Sequence, residues 1–275
     1  MRSVPAPLLA LGIAILMGPW TVLLVTDAWF TPIGDSDTAE WGDFVLTGIT
    51  LPCIAVVLWA ARPVVRSLDA SSSMGGALRL IAIGLALWSS IGIVTTAHML
   101  VVPGLEGFGG PVLALVLAAT YATLVWGTIR IAMTASLGVV EHPGRWVAVR
   151  VGTVAPVVAV AAIALTSTVV GSGLEPVDYV FLVGDAVVVV AAYVAWRRLD
   201  SWRGGMLARP FTYLVVAAAA YLLGEVMLYS YLAGVAERVT YPAALFSQIV
   251  APALIALMFL ELRATLLPNA STSRT

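Results

Sequence analysis

The sequence predicts an all-α integral membrane protein, a polytopic bundle of eight transmembrane helices. Three observations predict it. First, the 275-residue chain is 61% hydrophobic and 11% charged, with a mean hydropathy of +1.01, whereas a soluble domain carries roughly 25% charged residues. Second, apolar stretches of about 20 residues, the length that crosses a bilayer as helix, recur along the whole chain. Third, the arginines fall almost entirely in alternate connections. A single transmembrane domain over 1–275 is expected, ending in a short cytoplasmic tail at 263–275.

The first span is expected at about 5–26. Arg2 and the apolar run at 8–17 resemble a signal peptide. The run continues through Trp20 to Val25 with no A-x-A-like site, which favours a retained span. The second and third spans are expected at about 43–61 and 77–102, joined by a loop with Arg62 and Arg66. The fourth and fifth are expected at about 111–134 and 148–171. The Gly-rich segment PGLEGFGG before the fourth follows no strand and reads as a turn. The sixth is expected at about 177–196, the seventh at 210–235 and the eighth at 242–262.

Arginines crowd the connections after the second, fourth, sixth and eighth spans. Acids crowd the others, with Asp27, Asp35, Asp37, Glu40, Glu106, Glu175 and Glu237. Short arginine-rich loops stay in the cytoplasm, so a multi-pass cell-membrane protein with both termini cytoplasmic is expected. An even span count demands the same. Trp29, Trp41, Trp146, Trp196 and Trp202 stand near span ends, as interfacial anchors do. Pro19, Pro52, Pro156 and Pro252 fall inside spans and predict kinks. Gly42–Asp43 in the second span and Gly184–Asp185 in the sixth suggest two four-helix halves in parallel orientation.

The chemistry excludes several functions. All fourteen basic residues are arginine, so neither retinal nor pyridoxal phosphate has a lysine amine to join. The two histidines, His98 and His142, fall on opposite sides, which rules out bis-histidine haem and a histidine-rich metal centre. Cys53 is alone, so no disulfide or cysteine-rich metal site is expected. No cofactor is expected. Net charge of −1 without a basic run argues against nucleic acid, and no phosphate-binding loop motif is present. Ser89, Ser90, Thr95 and Thr96 lack a base partner, so no catalytic residue is named and an enzyme is not expected.

Ionisable groups inside spans are costly and mark function. Asp185 falls about 12 Å below the outer surface and Glu225 about 14 Å, on consecutive helices. His98, Tyr121 and Gln248 share that outer half, and Tyr229 lies one turn from Glu225 on the same face. These six are the candidate ligand- or cation-binding residues, with the two acids expected as the floor of an outward cavity. Three functions fit. The first is a carrier or channel for a small solute or cation, working through the intramembrane carboxylates. The second is a sensor or receptor-like module with an outward-facing pocket and a separate signalling partner. The third is an accessory subunit packed against other membrane proteins. All three have the lipid bilayer as a partner. A polar pathway reaching the cytoplasmic side would mark the carrier, a blind pocket the sensor, and acids facing an outer seam the subunit.

Overall fold

In the computed structural model, seven helices organise the described residues, which are 41–67, 72–101, 109–137, 140–170, 176–200, 207–235 and 237–266. They are α1 (Trp41–Ser67), α2 (Ser73–Val101), α3 (Gly109–Ala135), α4 (Pro143–Val170), α5 (Pro176–Asp200), α6 (Ala208–Leu232) and α7 (Glu237–Leu266). No strand occurs among the described residues. These helices cover the second to eighth expected spans. The first, at 5–26, lies outside the described residues. Five of the helices are long and apolar enough to cross a membrane.

The helices mostly overrun the spans read from hydropathy. α4 starts at Pro143 and α5 at Pro176, because proline suits a first helical position whose N–H has no intrahelical acceptor. At the arginine-rich ends, α1, α5 and α7 run on to Ser67, Asp200 and Leu266. Arginine is a good helix former, so polarity there ends the apolar run without ending the helix. The tail expected from residue 263 is therefore helical at its start. α6 stops at Leu232, before the expected 235. Gly234 takes a φ of 73°, and the Val235 N–H turns back to the Ser230 carbonyl at 3.0 Å. Such a left-handed residue closes a helix cheaply only when it lacks a Cβ.

Six helices close a ring. α1 pairs with α2, α2 with α3, α3 with α5, α5 with α6, α6 with α7, and α7 returns to α1. α4 stands outside, packed mainly on α5. Close approach is built into several of these seams by glycine. A Cβ on Gly127 would meet the Ala77 carbonyl oxygen of α2 at 2.9 Å, and one on Gly224 would meet the Ser247 Cβ of α7 at 2.8 Å. Small residues at such positions let membrane helices pack through van der Waals contact, since burial of apolar surface gives little drive inside lipid.

Side chains fix which helix ends lie together. Arg209 at the start of α6 pairs with Glu261 at the end of α7, 3.1 Å apart. Arg79 near the start of α2 donates to the Val65 carbonyl of α1 at 3.4 Å. Arg263 of α7 lies over the Trp59 ring of α1 at 4.6 Å. These contacts define an arginine-rich end. At the opposite, acid-bearing end, the Tyr229 hydroxyl donates to Asp178 at 3.0 Å, tying α6 to α5. Most of the large, fully buried side chains sit toward the arginine-rich end, among them Phe211, Phe259, Leu78, Ile131, Leu199 and Leu262. That end is a solid plug.

Candidate functional site

Above the plug the ring is not filled. A cavity of about 260 Å³ lies at its centre, lined by α2, α3, α5, α6 and α7. Counted at 1.5 Å per residue from the arginine-rich helix ends, its walls run from roughly 9 Å at Leu214 to roughly 28 Å at Phe181. The lower part is apolar, with Ile81, Leu124, Val188, Leu214, Ala217 and Ile255. The upper part carries a belt of Asp185, Tyr121, Tyr221, Trp88 and Thr120, with Phe181 beside them.

Asp185 is held from one side only. It sits in mid-α5, 5% exposed, and its Oδ1 accepts from the Tyr121 hydroxyl of α3 at 2.8 Å. Tyr121 can lie there because its neighbour across the seam is Gly184, where a Cβ would meet the ring at 2.8 Å. Oδ2 is buried and has no hydrogen-bond partner among the described residues. A carboxylate oxygen left unpaired in an apolar site carries a large desolvation cost, so this atom is suited to a donor or cation entering the cavity.

The hydroxyls nearby behave differently. Thr120 and Thr128 on the cavity wall bond back to the Val116 and Leu124 carbonyls of their own helix, at 2.8 and 2.6 Å. This satisfies a hydroxyl in a membrane helix without a partner helix. The Trp88 indole N–H reaches across the ring to the Tyr221 oxygen at 3.1 Å, and the two rings meet edge to face, 5.4 Å between centres. Tyr221 in turn hydrogen-bonds Glu225, one turn further along α6.

Of the sequence candidates, the structure joins Asp185 and Tyr121 directly. Glu225 is buried at 7% exposure on the helix next to Asp185, and its charge acts on Asp185. It does not line the cavity, and its side chain hydrogen-bonds Tyr221, which does. Tyr229 turns to Asp178 instead, at the acid-bearing end. His98 and Gln248 fall within α2 and α7, but their side chains lie outside the described residues. The cavity differs from the expected shape: Asp185 lies in an upper belt over an apolar well, and is not a floor. Trp88, Tyr221 and Phe181 were missing from the sequence candidates. A signal existed for two of them, since Trp88 is far from the span ends where tryptophan anchors, and Tyr221 stands at i−4 from Glu225 as Tyr229 stands at i+4.

Chemically, the belt is one carboxylate among aromatic faces. Aromatic faces and an acid together recognise ammonium groups, through ring quadrupoles and a Coulomb partner. A bare inorganic cation is served poorly, because it needs several oxygen ligands to replace its water. Among the described residues no group of histidine, cysteine, aspartate and glutamate could hold a metal ion. Comparison of the chain with protein-family models, curated proteins and solved structures finds no match.

Proposed function

We propose that the protein is a membrane-embedded, receptor-like module that binds a small organic ammonium ion with an apolar body. The ammonium group sits at Asp185 within the aromatic belt, and the apolar body extends into the well below. The observation that carries this reading is Asp185 itself, a buried carboxyl group on the cavity wall whose Oδ2 has no hydrogen-bond partner among the described residues. A blind pocket rather than a conduit is supported by the plug of large side chains between the cavity and the arginine-rich end. The arginine bias supports a cytoplasmic position for that end, where a separate partner would read the state of the helix ends.

A carrier is the second reading, and one observation favours it. In order of span, the second pairs with the third, the third with the fourth, and the second with the eighth. The sixth pairs with the seventh, the seventh with the eighth, and the sixth with the fourth. Moving every span on by four maps one set onto the other. This supports an eight-span bundle of two parallel halves with the cavity between them, where carriers of repeated build bind substrate.

Thermal unfolding of the purified protein with benzyltrimethylammonium, its neutral carbon isostere neopentylbenzene, and sodium tests the reading. Ammonium alone should stabilise, by about 2.7 kcal/mol at 100 times its Kd. Equal stabilisation by the isostere, or none by either, would defeat it. Uptake of the same cation into proteoliposomes separates the two forms: binding without flux supports the receptor, and flux supports the carrier.

A further inference from the structure

A second site lies outside the ring, at the arginine-rich end of α4. A groove of about 490 Å³ runs along the first turns of this helix and the residues just before it. Its polar lining is Glu141, His142, Arg145, Trp146, Arg150 and Thr153. The membrane-crossing stretch of α4 is Pro143–Thr168, so the groove sits at one end of the span, at the headgroup level that tryptophan prefers.

The charge there is unbalanced. The Arg150 guanidinium lies 5.4 Å from the centre of the Trp146 ring, and the Arg198 guanidinium, from α5, lies over the same ring at 3.6 Å. Two like charges are thus gathered on one indole, and each acts on the other. Arg145 is exposed beside them, and neither Arg145 nor Arg150 forms an ion pair among the described residues. Glu141 is the one acid on the groove, against two arginines and a histidine. Such a cluster is stabilised by an anion that contacts more than one guanidinium, and phosphate fits the planar fork of arginine.

What lies beyond the cluster selects the source of the phosphate. α4 stands outside the ring, and its free face carries Val154, Val157, Val160 and Leu165, all exposed. These recur at three to five residues and form one ridge running away from the arginines toward the acid-bearing end. We propose that this groove is a binding site for an anionic phospholipid, with its phosphate held by Arg145 and Arg150 and its acyl chains lying along the α4 ridge. The site is independent of the cavity and of what the cavity binds.

The test uses the full chain in phosphatidylcholine vesicles with spin-labelled phosphatidylglycerol or spin-labelled phosphatidylcholine as probe. The immobilised fraction should show about a fivefold or greater preference for phosphatidylglycerol, the worth of one basic residue near a membrane surface. Arg145→Gln/Arg150→Gln should remove that preference, while Arg62→Gln/Arg66→Gln at the same end should keep it. If the first double variant does not fold, Arg145→Gln alone, which leaves the Trp146 stack intact, should at least halve the preference. Millimolar inorganic phosphate should not displace the lipid. Equal association of the two lipids, a preference that survives loss of these arginines, or displacement by free phosphate would overturn the proposal.

Discussion

A single oxygen atom separates Asp185 from the other buried carboxyl and hydroxyl groups among the described residues. Its Oδ1 is engaged by Tyr121, while Oδ2 is buried without a hydrogen-bond partner among the described residues. Asp185→Asn keeps the shape and removes the charge. It should weaken benzyltrimethylammonium binding by at least 10-fold in calorimetry, because the cation loses its Coulomb partner, an attraction of about 4 kcal/mol for unit charges roughly 4 Å apart at an effective dielectric of about 20. Retained binding in this variant would remove Asp185 from the site. Gly184→Ala acts indirectly. Its methyl would lie 2.8 Å from the Tyr121 ring, so Tyr121 must move off Oδ1. The expected cost is about 1–3 kcal/mol of stability from overpacking, with weaker ammonium binding alongside. Normal binding together with normal thermal unfolding would show that Tyr121 is not held by this contact.

At the scale of elements, the seams depend on where glycine lies. Gly127 faces the backbone of α2, with the Ala77 carbonyl oxygen at 2.9 Å from a Cβ built there. Backbone cannot yield as a flexible side chain can. Gly127→Ala should therefore destabilise by about 1–3 kcal/mol. Gly152 on α4 has open space around it. Gly152→Ala should be neutral or stabilising by up to about 1 kcal/mol, through the helix preference of alanine. Unfolding of the two variants in detergent checks the contrast, and a reversed order would contradict the seam assignment. Both glycines sit mid-helix in apolar stretches, and the sequence does not distinguish them. Only the partner helix does.

At the scale of the molecule, the ring and its plug make the two ends unequal. The arginine-rich end is packed with phenylalanine and leucine, and the cavity begins above it. Orientation then decides which side of the membrane a ligand approaches from. A reporter fused after Thr275 should be active only in the cytoplasm, and one inserted between Asp27 and Glu40 only outside. An external C-terminus would invert the bundle and, with it, the side from which the cavity is approached.

The sequence by itself determined the all-helical, membrane-compatible class and the seven helices of the described residues, and it carries the charge bias on which the expected sidedness rests, for one physical reason. A bilayer imposes a length, an apolar composition and a charge rule on each segment separately, so each can be read without its neighbours. It also singled out Asp185 and Glu225, since any acid within a span is costly enough to stand out. The roles of the two acids were decided by tertiary structure. Depth and adjacency are the same for both, but Asp185 lines the cavity, while Glu225 does not and hydrogen-bonds Tyr221, which does. Trp88 came into the belt from a helix that is not a ring neighbour of α6. Hydropathy gives the depth of a residue along its helix. It does not give the rotation of that helix, or which distant helix the ring closure brings opposite, and those two quantities decide whether a polar side chain meets lipid, a neighbour or a ligand.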